Sequence, residues 1–166
     1  RPWPDSAPPR GAGCSGWDPR EPFVRNAKAV DEAIAHYEAG ELEPAAELLT
    51  RYLETGPCSD EGLKLSRLVR QRPDGSFDLG LTLFRMGEKY GRAFGDEPRA
   101  SEELDDGAKE QAKDRDLRIG CALVVVRAIA ADPAVAADLR ARAYYLAGNL
   151  DFLRGKYEAA IKSYDQ

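Results

Sequence analysis

The chain has 166 residues, enough for one ordinary domain or a short stack of helical hairpins with a small extension. Hydrophobic residues make up 43% and charged residues 32%, which excludes a wholly disordered chain. A net charge of -5 without a basic stripe argues against a nucleic-acid partner, because that affinity comes chiefly from clustered Lys and Arg.

Residues 1–25 form a Pro/Gly-rich arm in which Pro2, Pro4, Pro8, Pro9, Pro19 and Pro22 prevent a regular helix. Trp3, Trp17 and Phe23 are unusual in a solvated linker, and Trp17 is a candidate to dock the arm on the body. Gly11, Gly13 and Gly16 carry the spacing of the dinucleotide fingerprint. That motif needs a strand before the glycines and a helix N-terminus after them, whereas a Pro-rich stretch precedes these and Trp17-Asp18-Pro19 follows. No cofactor is expected.

The body spans residues 26–166. Asn26 is placed to cap a first helix with Val30, Ile34 and Tyr37 at helical spacing, and Gly40 stops it. A second helix starts near Glu43, with Pro44 harmless in its first turn and Ala45, Leu48, Leu49, Tyr52 and Leu53 on its apolar face. Gly56 and Pro57 end it. Ser59 or Asp60 is expected to cap a helix reaching Gln71, followed by a turn at Pro73-Asp74-Gly75. A helix over residues 77–94 carries Leu79, Leu83, Met86 and Tyr90 on one stripe, and Gly80, Gly87 and Gly91 suggest close helix packing.

An acidic loop around Pro98 precedes a long helix from Ser101 or Glu102 to Ala130, polar in its first half and apolar in its second. Its apolar run, residues 119–131, contains Arg127 and falls short of the about 20 residues that span a bilayer, so no integral membrane segment is expected. Asp132 and Pro133 are expected to open the next helix, which Gly155 ends before a last one from Tyr157. No segment alternates like a strand, and the fold class is all-α. With no Met at Arg1 and a helical pattern up to Gln166, the chain is expected to be a piece of a longer protein.

Cys14, Cys58 and Cys121 lack any zinc or Cys-x-x-Cys spacing. A Cys14–Cys58 disulfide would tie the arm to the end of the first hairpin, leaving Cys121 as a core thiol. Such a bridge implies a periplasmic or secreted protein; without it the cytoplasm is the alternative. The acidic residues Asp96, Glu97, Glu102, Glu103, Asp105 and Asp106 do not follow the order of a Ca²⁺ loop, and no metal is expected. His36 with Glu32 one turn before it could be imagined as a general base, but no nucleophile stands near, and the chain is not expected to be an enzyme.

Residues 141–166 resemble a tetratricopeptide repeat: Tyr144 stands at the aromatic start, Ala147 and Gly148 at the Leu-Gly pair, Ala160 at the motif's Ala and Tyr164 at its final aromatic. Residues 26–59 fit the same frame more loosely, with Ala33 at the Gly position and Ala45 at the Ala position. Residues 77–94 and 101–130 do not score as repeats. The resemblance implies a stack of antiparallel helical hairpins, irregular in the middle, with the first helix of each hairpin lining a concave surface for a protein or peptide partner. Groove positions of the C-terminal copy are Arg142, Tyr145, Asn149, Phe152 and Leu153; those of the N-terminal copy are Ala27, Val30, Ile34, Tyr37 and Glu38. Arg142 with Asn149 resembles half of a carboxylate clamp, to which the other copy adds nothing. The expected function is an interaction scaffold; the alternative is a structural domain that fills the same surface with a second copy of itself, as a homo-oligomer.

Overall fold

The computed structural model describes residues 27–89 and 105–166. The arm with Cys14 and Trp17, Asn26, and Tyr90, Gly91, Pro98 and the acidic residues up to Glu103 lie outside the described residues, and the N-cap of the first helix is Ala27, one residue after the expected Asn26, with no side-chain bond to the helix. Among the described residues the fold is all-helical, with an isolated bridge between Ser59 and Gly62 as the one extended pairing.

α1 (Lys28–Glu38) buries Val30 and Ala33, and α2 (Leu42–Leu53) buries Leu42, Ala45, Ala46, Leu49 and Leu53. The chain turns between them at Gly40, whose φ of +79° is a conformation that residues with a Cβ adopt with strain. α2 ends as Glu54 enters the left-handed region and the amide of Thr55 donates to the Thr50 carbonyl.

The helix expected from Ser59 to Gln71 is reduced to α3 (Leu68–Gln71). Of residues 59–66, only Leu63 enters the core, too little for an amphipathic stripe. Tertiary bonds fix the segment instead. Ser66 donates to the Leu53 carbonyl and accepts from the Leu68 amide, while Arg72 donates to the Tyr52 carbonyl and stacks on the Tyr52 ring at 4.4 Å. The turn expected at Pro73-Asp74-Gly75 is the first turn of α4 (Pro73–Lys89). Proline suits that position because its missing N–H would be unpaired there anyway, and Gly75 lies tight against the Tyr52 ring.

α4 packs a small-residue face on α5 (Asp106–Ala130): a Cβ on Gly80 would collide with Val126, and one on Gly87 would meet Ile119 at 3.4 Å. α5 starts later than expected because Asp105 is the cap, its carboxylate accepting from the Ala108 amide at 2.7 Å. As expected, its first half is largely solvated, whereas Ile119, Leu123, Val126 and Ile129 are buried. Asp132 caps a turn, through the Ala134 amide, and α6 (Ala137–Leu153) begins only after it. Gly155, at φ +70°, turns the chain into α7 (Tyr157–Tyr164).

Packing follows chain order, α1 on α2, α2 on α4, α4 on α5, α5 on α6 and α6 on α7, while α4 also touches α1 and α6. The continuous core runs from Val30 to Leu150. No described helix is long and apolar enough to cross a membrane.

Candidate functional site

Ile34 and Tyr37 lie on one side of α1, half-buried beside Glu38, and face α4 across a cleft of about 250 Å³. α4 supplies Asp78, Leu81 and Thr82 to the opposite wall. The Thr82 hydroxyl donates to the Asp78 carbonyl at 2.7 Å, and the residue is buried. Polar recognition in the cleft therefore falls to the carboxylates of Asp78 and Glu38 and to the phenol of Tyr37.

Burial raises the Asp78 carboxyl above its ordinary value, the nearby charge of Asp74 pushes it further up, and Arg142 pulls it back down. Arg142 reaches α4 from α6, its guanidinium 4.6 Å from the centre of the Phe77 ring. A slot with apolar walls and an incompletely compensated carboxylate suits an apolar side chain next to a hydrogen-bond donor or a cation.

The remaining expected groove residues go elsewhere. Tyr145, Asn149 and Phe152 turn toward α7: the Tyr164 hydroxyl donates to Asn149 Oδ1 at 2.8 Å, the Tyr145 and Tyr164 rings lie 5.9 Å apart, and Phe152 meets Tyr157 edge-on at 5.2 Å. Burial, then Tyr145 and Asp151, raise the Tyr164 phenol above its ordinary value, so it remains the donor in its bond to Asn149. Arg142 lies over the Phe77 ring, whereas Asn149 is bonded through its oxygen to the Tyr164 hydroxyl. Val30, expected in the groove, is a core residue, while Ala27 and Leu153 are half-buried against the core.

Of the expected groove residues, Ile34 and Tyr37 line the cleft at α1 and α4, and Tyr145 and Asn149 line a second one at α6 and α7. Asp78 and Leu81 were missed because α4 does not score as a repeat. Their signal was present: Asp74, Asp78, Leu81 and Arg85 form a stripe at helical spacing opposite the buried Leu79 and Leu83.

The cysteine expectation is corrected. Cys58 is bonded to Cys121 with the Cα atoms 5.9 Å apart, so Cys58 is not available to Cys14, and Cys121 is not a core thiol. The apolar spacing of α5 identified Cys121 as buried, but nothing local shows that the loop after α2 comes back onto it. His36 pairs with Glu41 across the α1–α2 turn at 2.5 Å, while Glu32 pairs with Lys28. Of the acidic cluster, Asp105 serves as the α5 cap and Asp106 pairs with Lys109, and no group of metal-ligating side chains is present among the described residues. No protein-family model, no curated protein and no solved structure matches the chain.

Proposed function

We propose that the chain is a scaffold that binds a segment of a partner protein, or a peptide, in the cleft between α1 and α4. The observation that carries this reading is the meeting of Ile34 and Tyr37 with Asp78 and Leu81 across an open slot. Residues far apart in sequence supply apolar walls and a charged edge there, while His36 lies outside the slot's lining and pairs with a surface glutamate. The packing order also supports a tetratricopeptide-like stack of antiparallel hairpins, α1 with α2, α4 with α5 and α6 with α7. In such a stack the first helices adjoin one another, and α4 does touch both α1 and α6. The Cys58–Cys121 disulfide favours an oxidising compartment, periplasmic or extracellular.

Panning a displayed peptide library against the folded chain tests the cleft. Selected peptides should pair an apolar residue with Lys, Arg or a hydroxyl donor. Ile34→Glu and Asp78→Asn should each weaken their binding at least about tenfold, equivalent to roughly 1.4 kcal/mol. Binding untouched by both substitutions, or lost with Tyr145→Ala instead, would move the site away from α1 and α4.

A further inference from the structure

The chain carries a net charge of -5, yet residues 62–73 hold Lys64, Arg67, Arg70 and Arg72 and no acidic residue. The local fold turns three of these cations outward. Leu63 and Val69 are buried, the Ser66 hydroxyl donates to the Leu53 carbonyl, and Arg72 donates to the Tyr52 carbonyl, so every third residue from 63 to 72 is an anchor. Lys64, Arg67 and Arg70 each follow an anchor by one residue, and all three are exposed. They emerge along one ridge, formed by the loop before α3 and by α3 itself, with Leu65, 43% exposed, next to Lys64.

None of the three forms an ion pair among the described residues. Arg67, the N-cap of α3 with helical backbone angles, and Arg70 stand about one helical turn apart, a spacing at which like charges repel. An anionic occupant relieves that repulsion. The ridge is also held in place before anything binds. The Gly56 amide donates to the Lys64 carbonyl at 3.2 Å, the Leu68 amide donates to the Ser66 hydroxyl at 3.0 Å, and the Cys58–Cys121 bond ties the preceding stretch to α5. A backbone fixed in advance spares the complex the entropy of ordering it.

Charge and extent select the occupant. The planar donor fork of an arginine matches a carboxylate. Asp60 and Glu61 precede the ridge in sequence and Asp74 follows it, all exposed. Together with the acidic balance of the whole chain, they oppose an extended anionic surface, such as a bilayer or a nucleic acid, whose attachment relies on many phosphate contacts. A short acidic segment meets the three cations without running past those carboxylates.

We infer that residues 64–70 form a docking ridge for an acidic segment of a partner protein, whose Asp or Glu carboxylates pair with Lys64, Arg67 and Arg70 and whose apolar residue covers Leu65. The ridge shares no residue with the lining of the α1–α4 cleft and does not rest on the reading of that cleft.

Fluorescence anisotropy on the intact chain tests this, with a labelled, acetylated peptide in which glutamates flank a leucine. The peptide should bind, and more weakly as salt is added, because exposed charges are screened. Its glutamine counterpart should bind at least about tenfold more weakly, and Arg67→Glu and Arg70→Glu should each weaken the glutamate peptide by a similar factor. Leu65→Ser should cost less than either. These positions are exposed, and unchanged circular dichroism establishes that the variants fold. No binding, equal binding of the glutamine peptide, or arginine variants that bind like wild type would each overturn the proposal. So would single-stranded DNA or phosphatidylglycerol vesicles that bind more tightly and displace the peptide, and so would self-association of the chain that Arg67→Glu abolishes, since a second copy would then be the occupant. Tyr37→Ala should bind the glutamate peptide like wild type, which separates a failure here from a failure of the cleft.

Discussion

Arg127 on α5 and Asp151 on α6 form an ion pair at the heart of the C-terminal half, a single guanidinium nitrogen lying 2.8 Å and 2.7 Å from the two carboxylate oxygens. Asp151 is fully buried, whereas the Arg127 side chain remains half-exposed. The arginine that interrupts the apolar run of α5 is therefore the partner that makes a buried carboxylate tolerable. Removing it leaves that charge without its pair.

Arg127→Met is expected to destabilise the chain by about 2–3 kcal/mol in urea unfolding, below the upper range for buried pairs because Arg127 keeps contact with water. Adding Asp151→Leu to that variant should recover part of the loss. A double variant less stable than Arg127→Met would mean that the carboxylate contributes through contacts other than this pair.

The Cys58–Cys121 bond spans 63 residues of sequence, so reducing it should cost about 4 kcal/mol through the greater freedom of the unfolded chain. The connectivity can be measured directly. Cys14→Ser, denatured without reductant, should expose no titratable thiol, and Cys58 and Cys121 should both titrate after reduction. A free thiol before reduction would disprove the pairing.

Gly80 sets helix propensity against sterics. In an exposed helix Gly→Ala gains up to about 1 kcal/mol, but here the added methyl meets Val126 across the α4–α5 interface. Overpacking of this kind costs about 1–3 kcal/mol, so Gly80→Ala should lower stability despite its better propensity. Combining it with Val126→Ala should lose less than the two single losses added together, as thermal melts would reveal. Strict additivity would place the strain elsewhere.

Asp78 makes stability depend on pH in a stated direction. Burial, with Asp74, raises its carboxyl above the ordinary 3.8, so between that value and the raised one the folded chain holds more protons than the unfolded chain. Stability from this group therefore falls as pH rises through that window and stays lower above it. Asp78→Asn removes the charge with little change of shape and should raise Tm by a few degrees at neutral pH. The gain should vanish below the ordinary carboxylate range. A Tm difference independent of pH would count against the buried carboxylate as its cause.

The helices at both ends were legible because their determinants are local. Gly40 and Gly155 mark turns that need positive φ, and Val30 with Ala33, or Leu146 with Leu150, recur at helical spacing. The same rules failed at residues 59–66, where serine and acidic residues suggested a cap but apolar residues are too few to hold a helix. They also failed at Pro73-Asp74-Gly75, a turn by composition that tertiary contact with Tyr52 draws into α4. Of the expected site residues, Ile34 and Tyr37 were legible as a pair because they share one helix face. Their counterparts Asp78 and Leu81 were not, since only packing brings α4 against α1.

By itself, the sequence determined helix type, the glycine turns and which stripes are apolar, all of which act over a few residues of chain. Tertiary structure decided the rest: Cys58 bonds Cys121, Arg127 reaches Asp151, and the expected groove residues divide between α1–α4 and α6–α7. Those outcomes depend on which helix faces come together after collapse. Burial sets that choice for the whole core at once, and no local pattern encodes it.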